Sequence, residues 1–253
     1  MKFVLSEEYA LYKNDILNIL NNFKNEGVVV GRGNRNVVKY FVVKDLVLNF
    51  KSFKQHNIIN RHVYKHYRRS KAHRSYDYAH MLLDKGFLTP KPIAYIENYD
   101  WIGVTSSYYI SEQLQEVCTL ADVLADPDFA DREQIIKGYT QLIYRLHEHG
   151  IIFIDNAAGN FLIKKSEGQY LYFLVDLNRM SFYEEINITK RLKNFERLTN
   201  DRKIIESISA EYAKLSGADY EFCRKKITDY SAQKARKRKA KKILKFYKYL
   251  LPH

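Results

Sequence analysis

The segment HEHGIIFIDNAAGNFLIKK carries Asp155 and Asn160 five residues apart, and a second carboxylate, Asp176, follows sixteen residues after Asn160 in LYFLVDLNRM. A helical pattern runs into Gly150. A short apolar strand, a polar loop and a strand pair follow, and the second of the pair ends on Asp176. Such a chain must fold so that helix, loop and strand pair share one core while three oxygen-bearing side chains stay exposed at its rim.

Those three groups, in that order, suit phosphoryl transfer, which needs positioning and charge neutralisation more than covalent chemistry. Asp155 is placed to take the proton of an attacking hydroxyl. Asn160 and Asp176 are placed to hold a metal ion on nucleotide phosphates, and the amide supplies a neutral oxygen that adds no negative charge. A turn at Asp155-Asn156 with a cap at Asn160 accounts for the same residues more plainly, because turns are rich in both types. The helix before and the strand-bounded carboxylate after favour the chemical reading.

The rest of the chain is β-rich first and α-rich later. Ser6 with Glu7 and Glu8 marks a helix start, Gly27 its stop, and Ile16, Leu20 and Phe23 give it one apolar face. VVV, VVKYFVV and LVLNF read as three strands, the last two joined at Lys44-Asp45. A helix ends near Gly86; TPKPIAYIE and SSYYISEQL are further strands. Asp131 with Gln134 resembles a capping box. Behind it Ile135, Ile136, Tyr139, Leu142, Ile143 and Leu146 recur at helical spacing. Beyond Asn187 the pattern is helical, with Ile204, Ile205, Ile208, Tyr212 and Leu215 as a second apolar stripe. With 46% hydrophobic and 28% charged residues among 253, this is a globular α+β chain. It suits a sheet-based lobe of residues about 1–112 and a mainly helical lobe of about 115–230, with a ligand cleft between them and a basic amphipathic helix over about 231–253.

Further site candidates lie in the first half. Lys51, at the end of LVLNFK, can neutralise nucleotide phosphates from the sheet side. Lys54 competes; Lys51 is preferred because Phe50 and Phe53 are expected to face away from it. An ordinary edge-strand lysine explains either. Gly31 and Gly33, in the turn GRGNRN, can let backbone N–H groups approach phosphate, and a plain hairpin turn explains them equally well. Asp77 is the one well-placed acid on the following helix to pair with Lys51, against a solvated surface carboxylate. The eight histidines fit no metal spacing, and His147 and His149 read with the others as solvated or anion-facing.

The net charge of +13 points to anionic partners. Cys118 and Cys223 form no disulfide or zinc pattern. The start MKFVLSEEYA reads as no signal peptide, and no apolar run reaches bilayer length. One basic cluster holds Arg61, Lys65, Arg68, Arg69, Lys71 and Arg74; the other is KARKRKAKK, Lys234 to Lys242, with Ile243, Leu244, Tyr247, Leu250 and Leu251 behind it at helical spacing. The second fits an anionic membrane surface, against a solvated helix docked by its apolar side or a nucleic-acid binder. KARKRKAKK has no interleaved aromatics for base stacking, so nucleic acid is not expected.

GRGNRN, LNFKSFK, SKAHRSYDYAHMLLDKGFLTPKPIAYIE, LHEHGIIFIDNAAGNFLI and FLVDLNRMSF together resemble the lipopolysaccharide core kinases, the Kdo and heptose kinases of the protein-kinase-like superfamily. The resemblance spans about Val28 to Phe182. It implies a two-lobed protein-kinase-like fold and transfer of the γ-phosphoryl group of ATP, with Mg2+, to a sugar hydroxyl of the lipopolysaccharide inner core. A lipopolysaccharide or lipid A-core precursor would be the acceptor, on the cytoplasmic side of the inner membrane, with the enzyme held peripherally. By position Asp155 corresponds to the catalytic base, Asn160 and Asp176 to the magnesium ligands, Lys51 to the phosphate-binding lysine and Asp77 to its partner. Gly31 and Gly33 fall in the nucleotide loop, Ser111 to Leu114 at the adenine-reading hinge, and Arg179 at a recurrent basic position. The chain departs from many relatives at Phe153, where they carry His, in a reduced glycine loop and in the short helix acid. The alternatives are a kinase-fold enzyme with a protein or small-molecule acceptor, and a pseudokinase scaffold on an anionic surface.

Overall fold

In the computed structural model, residues 1–30, 36–53 and 69–250 are described, the side chains as far as 243. Gly31, Gly33, Lys54, the basic residues from Arg61 to Arg68 and the apolar side chains beyond Ile243 lie outside the described residues. The chain forms two compact units, Met1–Glu116 with Phe173–Asn178, and Val117–Tyr172 with Arg179–His253.

The first unit is built on a six-stranded antiparallel sheet. Its strands are β1 (Lys2–Leu5), β2 (Val28–Val29), β3 (Asn36–Val43), β4 (Leu46–Phe53), β5 (Pro92–Tyr99) and β6 (Val104–Glu112), in the spatial order β1-β5-β6-β4-β3-β2. Among the described residues two α-helices accompany it, α1 (Lys13–Asn22) and α2 (Lys71–Asp84). Ile16, Ile19 and Phe23 from the α1 region join Leu48, Phe50, Ile96 and Ile110 in one core, and Ala72 of α2 joins Phe53 and Tyr95 in a smaller one. Lys44, with φ of 54°, makes the expected turn between β3 and β4.

Two local expectations are corrected here. Ser6 begins a 3-10 segment (Glu7–Tyr12) rather than α1, and its hydroxyl donates to Pro92 O at 3.0 Å, which ties β1, a strand the opening sequence did not announce, to β5. Phe53 shares the side of Lys51, whose Nζ lies 5.5 Å from its ring centroid. Strand alternation puts positions two apart on one face, so only Phe50 faces away.

Residues Phe173–Asn178 come from far along the chain yet pack with the first unit. Leu174 N donates to Leu88 O at 2.9 Å, and Thr89 Oγ1 donates to Leu174 O at 2.8 Å. These bonds position the stretch that ends in Asp176.

The second unit is mainly helical. It contains β7 (Cys118–Thr119), α3 (Leu120–Ala125), α4 (Arg132–Glu148), β8 (Ile151–Phe153), β9 (Phe161–Ser166), the start of β10 (Gln169–Leu174), β11 (Met180–Phe182), α5 (Ile188–Lys193), α6 (Arg202–Ser216) and α7 (Tyr220–Leu250). The stripe Ile135, Ile136, Tyr139, Leu142, Ile143 and Leu146 is buried on α4, and Ile204, Ile205, Ile208 and Tyr212 are buried on α6. α7 starts at Tyr220, eleven residues before the expected basic helix, because Cys223, Ile227 and Ser231 bury one stripe of its first half at i, i+4 spacing.

Asp131 does not form the expected capping box. It sits at φ 58° with no side-chain cap, and its carboxylate instead accepts from Lys165 Nζ at 3.0 Å and Tyr170 OH at 2.7 Å. A left-handed residue cannot aim its side chain at the N2 or N3 amide. The capping box is at Thr119 and Asp122, on α3.

Candidate active site

Asp155 follows β8 directly, and the path to it is set by Gly150. Gly150 ends α4 at φ +70°, and its carbonyl accepts from Tyr183 N at 2.9 Å, which locks the start of β8 onto β11. The three residues of β8 are all buried, so the chain emerges from the core at Asp155. Asp155 O then accepts from Ala157 N at 2.7 Å and from Asn160 Nδ2 at 2.7 Å. The two residues five apart in sequence are thus joined in one closed loop. Because Asn160 spends its NH2 on that carbonyl, its Oδ1 faces no donor among the described residues and keeps its lone pairs for a cation.

The Asp155 carboxylate is buried and accepts on one oxygen from two guanidinium groups, Arg179 Nη1 at 3.3 Å and Arg197 Nη1. Arg179 therefore holds the carboxylate itself, and its carbonyl also accepts from Ile154 N at 3.2 Å. Arg197 went unnoticed in the sequence, because it lies 42 residues from Asp155 in a segment with no motif.

A buried network underlies this loop. His147 Nδ1 shares a hydrogen bond with Tyr212 OH at 2.8 Å, and its Nε2 with Asn194 Oδ1 at 3.1 Å. Asn194 Nδ2 donates to Phe153 O at 2.8 Å, Asn156 Nδ2 donates to Asn194 O at 3.0 Å, and Tyr139 OH donates to Asn156 Oδ1 at 2.6 Å. His147 is thus not solvated, as its neighbours in the sequence had implied, but 1% exposed. Burial pushes its imidazole down to about 4, so it stays neutral. Phe153 is fully buried, with its ring centroid 5.6 Å from that of Phe161. It contributes packing and a backbone carbonyl.

In the first unit, Lys51 on β4 forms an ion pair with Asp176. Asp176 sits at φ 62°, an unusual conformation for a residue with a Cβ, and its Oδ1 also accepts from Asn178 Nδ2 at 2.5 Å. Strained carboxylates of this kind cluster at functional sites. Both donors use Oδ1, which leaves Oδ2 for a hard cation. The oxygen sets of Asn160 and Asp176 each fit magnesium chemistry.

Asp77 does not meet Lys51. It pairs with Arg69 and with His73 Nε2 at 3.3 Å, one turn earlier on α2. A short Asp side chain reaches its own helix face more readily than the sheet, and the carboxylate that Lys51 finds is Asp176.

A family model described as lipopolysaccharide kinase (Kdo/WaaP) matches residues 22–221. No curated protein matches the chain. Among solved structures, WaaP in complex with acyl carrier protein is similar at 16% identity and TM-score 0.62, over 94% of this chain and 98% of that one. The Rio2 kinase from Chaetomium thermophilum, as an ADP/Mg2+-phosphoaspartate complex, overlaps at 16% identity and TM-score 0.45, over 90% and 77%. MAP kinase LmaMPK10 from Leishmania major overlaps at 13% identity and TM-score 0.47, over 85% and 65%. The first of these carries the fold: α+β and protein-kinase-like, with a sheet-rich N-terminal part and a helical C-terminal part. With 22–221 matched out of 253 residues, the chain belongs to the lipopolysaccharide kinase (Kdo/WaaP) family.

Proposed function

We propose that the protein phosphorylates a sugar hydroxyl, of Kdo or heptose, in the lipopolysaccharide inner core, using ATP with magnesium. The family match carries this reading, and the observation that supports it in this chain is the closed loop joining Asp155 to Asn160 beneath two arginines. Asp155 accepts the proton of the acceptor hydroxyl. Arg179 and Arg197 fix its carboxylate, and they must yield part of their hold for the hydroxyl to reach it. Lys51 neutralises phosphate charge, and Gly31 and Gly33 offer backbone N–H groups to it. Asn160 and Asp176 are the oxygen ligands for magnesium, which when bound neutralises charge on the phosphate oxygens. Asp77 does not take the role of lysine partner in this reading; that carboxylate serves Arg69 and His73.

The acceptor is a polyanionic lipid, and the basic surface fits it. From 236 to 243, α7 is exposed throughout and rich in Lys and Arg. No helix among the described residues is long and apolar enough to cross a membrane. In this reading the enzyme meets its acceptor on the cytoplasmic face of the inner membrane and is held there peripherally by its basic surface. Co-sedimentation with vesicles containing anionic lipid, weakened by reversing Arg236 and Lys237, tests that attachment.

The decisive experiment is ADP release from Mg·ATP with and without purified lipopolysaccharide core acceptor, in wild type and Asp155→Asn. Acceptor-stimulated turnover that disappears in the variant is the expected result. ATP binding without turnover on this acceptor would turn the reading to another acceptor or to a pseudokinase.

A further inference from the structure

One stripe of α7 borders an open cavity of about 300 Å³ within the second unit. Ser231, Lys234, Arg238, Lys239 and Lys242 come to it from α7, at spacings of three and four residues, and Arg197 comes from the facing segment 196–200. Lys234 is engaged by Glu196, and Arg197 by Asp155. Arg238, Lys239 and Lys242 meet no carboxylate among the described residues. Ser231 adds a second and different sign. It is 2% exposed, yet its hydroxyl has no hydrogen-bond partner among the described residues. A buried hydroxyl left unpaired is costly, and this one belongs to a residue bordering a cavity whose free cations call for an anion.

We infer that this cavity is a binding site for a phosphate group, apart from the residues proposed above for the nucleotide. Here the concave wall selects 238, 239 and 242 and omits Arg236, Lys237 and Lys241. Cations along the rim of a cavity give phosphate the charge-assisted hydrogen bonds it needs.

The site is also coupled to Asp155. One guanidinium, Arg197, lines the cavity and donates to Asp155 Oδ1. A phosphate in the cavity competes with Asp155 for that guanidinium, so occupancy loosens the hold on the carboxylate. Removing the Asp155 charge frees that guanidinium and should strengthen phosphate binding. The consequence for turnover rests on Asp155 being the base proposed above; the binding site itself does not.

Isothermal titration calorimetry on the full, nucleotide-free chain tests this, with inorganic phosphate and glucosamine 6-phosphate as probes at about 0.15 M salt to suppress long-range charge effects. One saturable site is expected. Arg238→Glu combined with Lys242→Glu should weaken it by about tenfold or more. Arg236→Glu with Lys237→Glu, the same charge change off the cavity, should move it by less than about twofold. Asp155→Asn should tighten it by roughly three- to tenfold. Tighter binding of the sugar phosphate than of free phosphate assigns the site to a phosphorylated sugar, and equal binding assigns it to the phosphate group alone. Equal weakening by both double variants, or no saturable binding, overturns the site. An unchanged affinity in Asp155→Asn overturns the coupling. No titration uses ATP or a lipopolysaccharide acceptor, so failure of the kinase reading would leave these results unaffected.

Discussion

Lys51 and Asp176 form an ion pair across 125 residues of sequence, and Asp77, the acid one helix along, takes no part in it. The lysine and the strained carboxylate are therefore held together inside the first unit.

This pairing separates two substitutions that sequence reasoning would treat alike. Asp77→Ala should leave kcat/KM for ATP within about threefold, because it releases only Arg69 and His73. Lys51→Ala should lower it by about a hundredfold or more, as loss of a phosphate-neutralising cation does. Acceptor-dependent ADP release at varied ATP measures both. Equal losses would restore Asp77 to the site.

Asn160 holds Asp155 O, and in the function proposed above it also serves as a magnesium ligand. Asn160→Ala deletes its bond to Asp155 O, worth about 1 kcal/mol of local stability, and an oxygen offered to magnesium. The magnesium concentration for half-maximal turnover should rise by about tenfold or more, with kcat depressed in the same titration. A fall in kcat with an unmoved magnesium midpoint would leave Asn160 a structural residue only.

His147 makes stability depend on pH. Its folded value of about 4 lies below the ordinary value of 6.5, because burial disfavours the imidazolium. At pH 7 both folded and unfolded chains hold it neutral. As the pH falls from about 6.5 to 4, only the unfolded chain takes up the proton, so stability drops across that window and levels off below it. The loss attributable to this one group is about 3 kcal/mol. His147→Gln, which keeps partners for Tyr212 and Asn194, should flatten that part of the curve. Urea midpoints at pH 7, 5.5 and 4.5 check it; an unchanged slope would place the acid sensitivity elsewhere.

Much of this was legible because periodicity and turn chemistry are local. The buried stripe of α4 and the turn at Lys44 follow from spacing alone. What was not legible depends on distant partners. Nothing near His147 announces Tyr212 or Asn194, so its burial was unreadable. Asp131 looked like a cap because the residue three positions on suited one, while Lys165 of β9 and Tyr170 of β10 claimed the carboxylate. Arg197 reaches Asp155 only through the fold, and Asp176 joins Lys51 only because Leu174 is bonded to Leu88 and Thr89. Candidate chemistry was carried by residue order, and its electrostatic environment by tertiary structure.

Gly150 sets the entry to Asp155 and offers the sharpest structural test. A Cβ there would lie 2.0 Å from Tyr183 O, a backbone atom that cannot turn aside, and φ is +70°. Gly168 has a similar φ of +77° and open space around the added carbon. Both alanine variants carry the left-handed cost of about 1–2 kcal/mol. Only Gly150→Ala adds the clash, about 1–3 kcal/mol more, as overpacking does. Its thermal midpoint should therefore fall by roughly 5–15 °C, against roughly 2–8 °C for Gly168→Ala. Since relief of the clash must separate β8 from β11, the loop after β8 shifts with it. Gly150→Ala should then lose turnover even at temperatures where it remains folded, and Gly168→Ala should not. Equal midpoints for the two variants would mean that the β8–β11 contact yields freely and does not position Asp155.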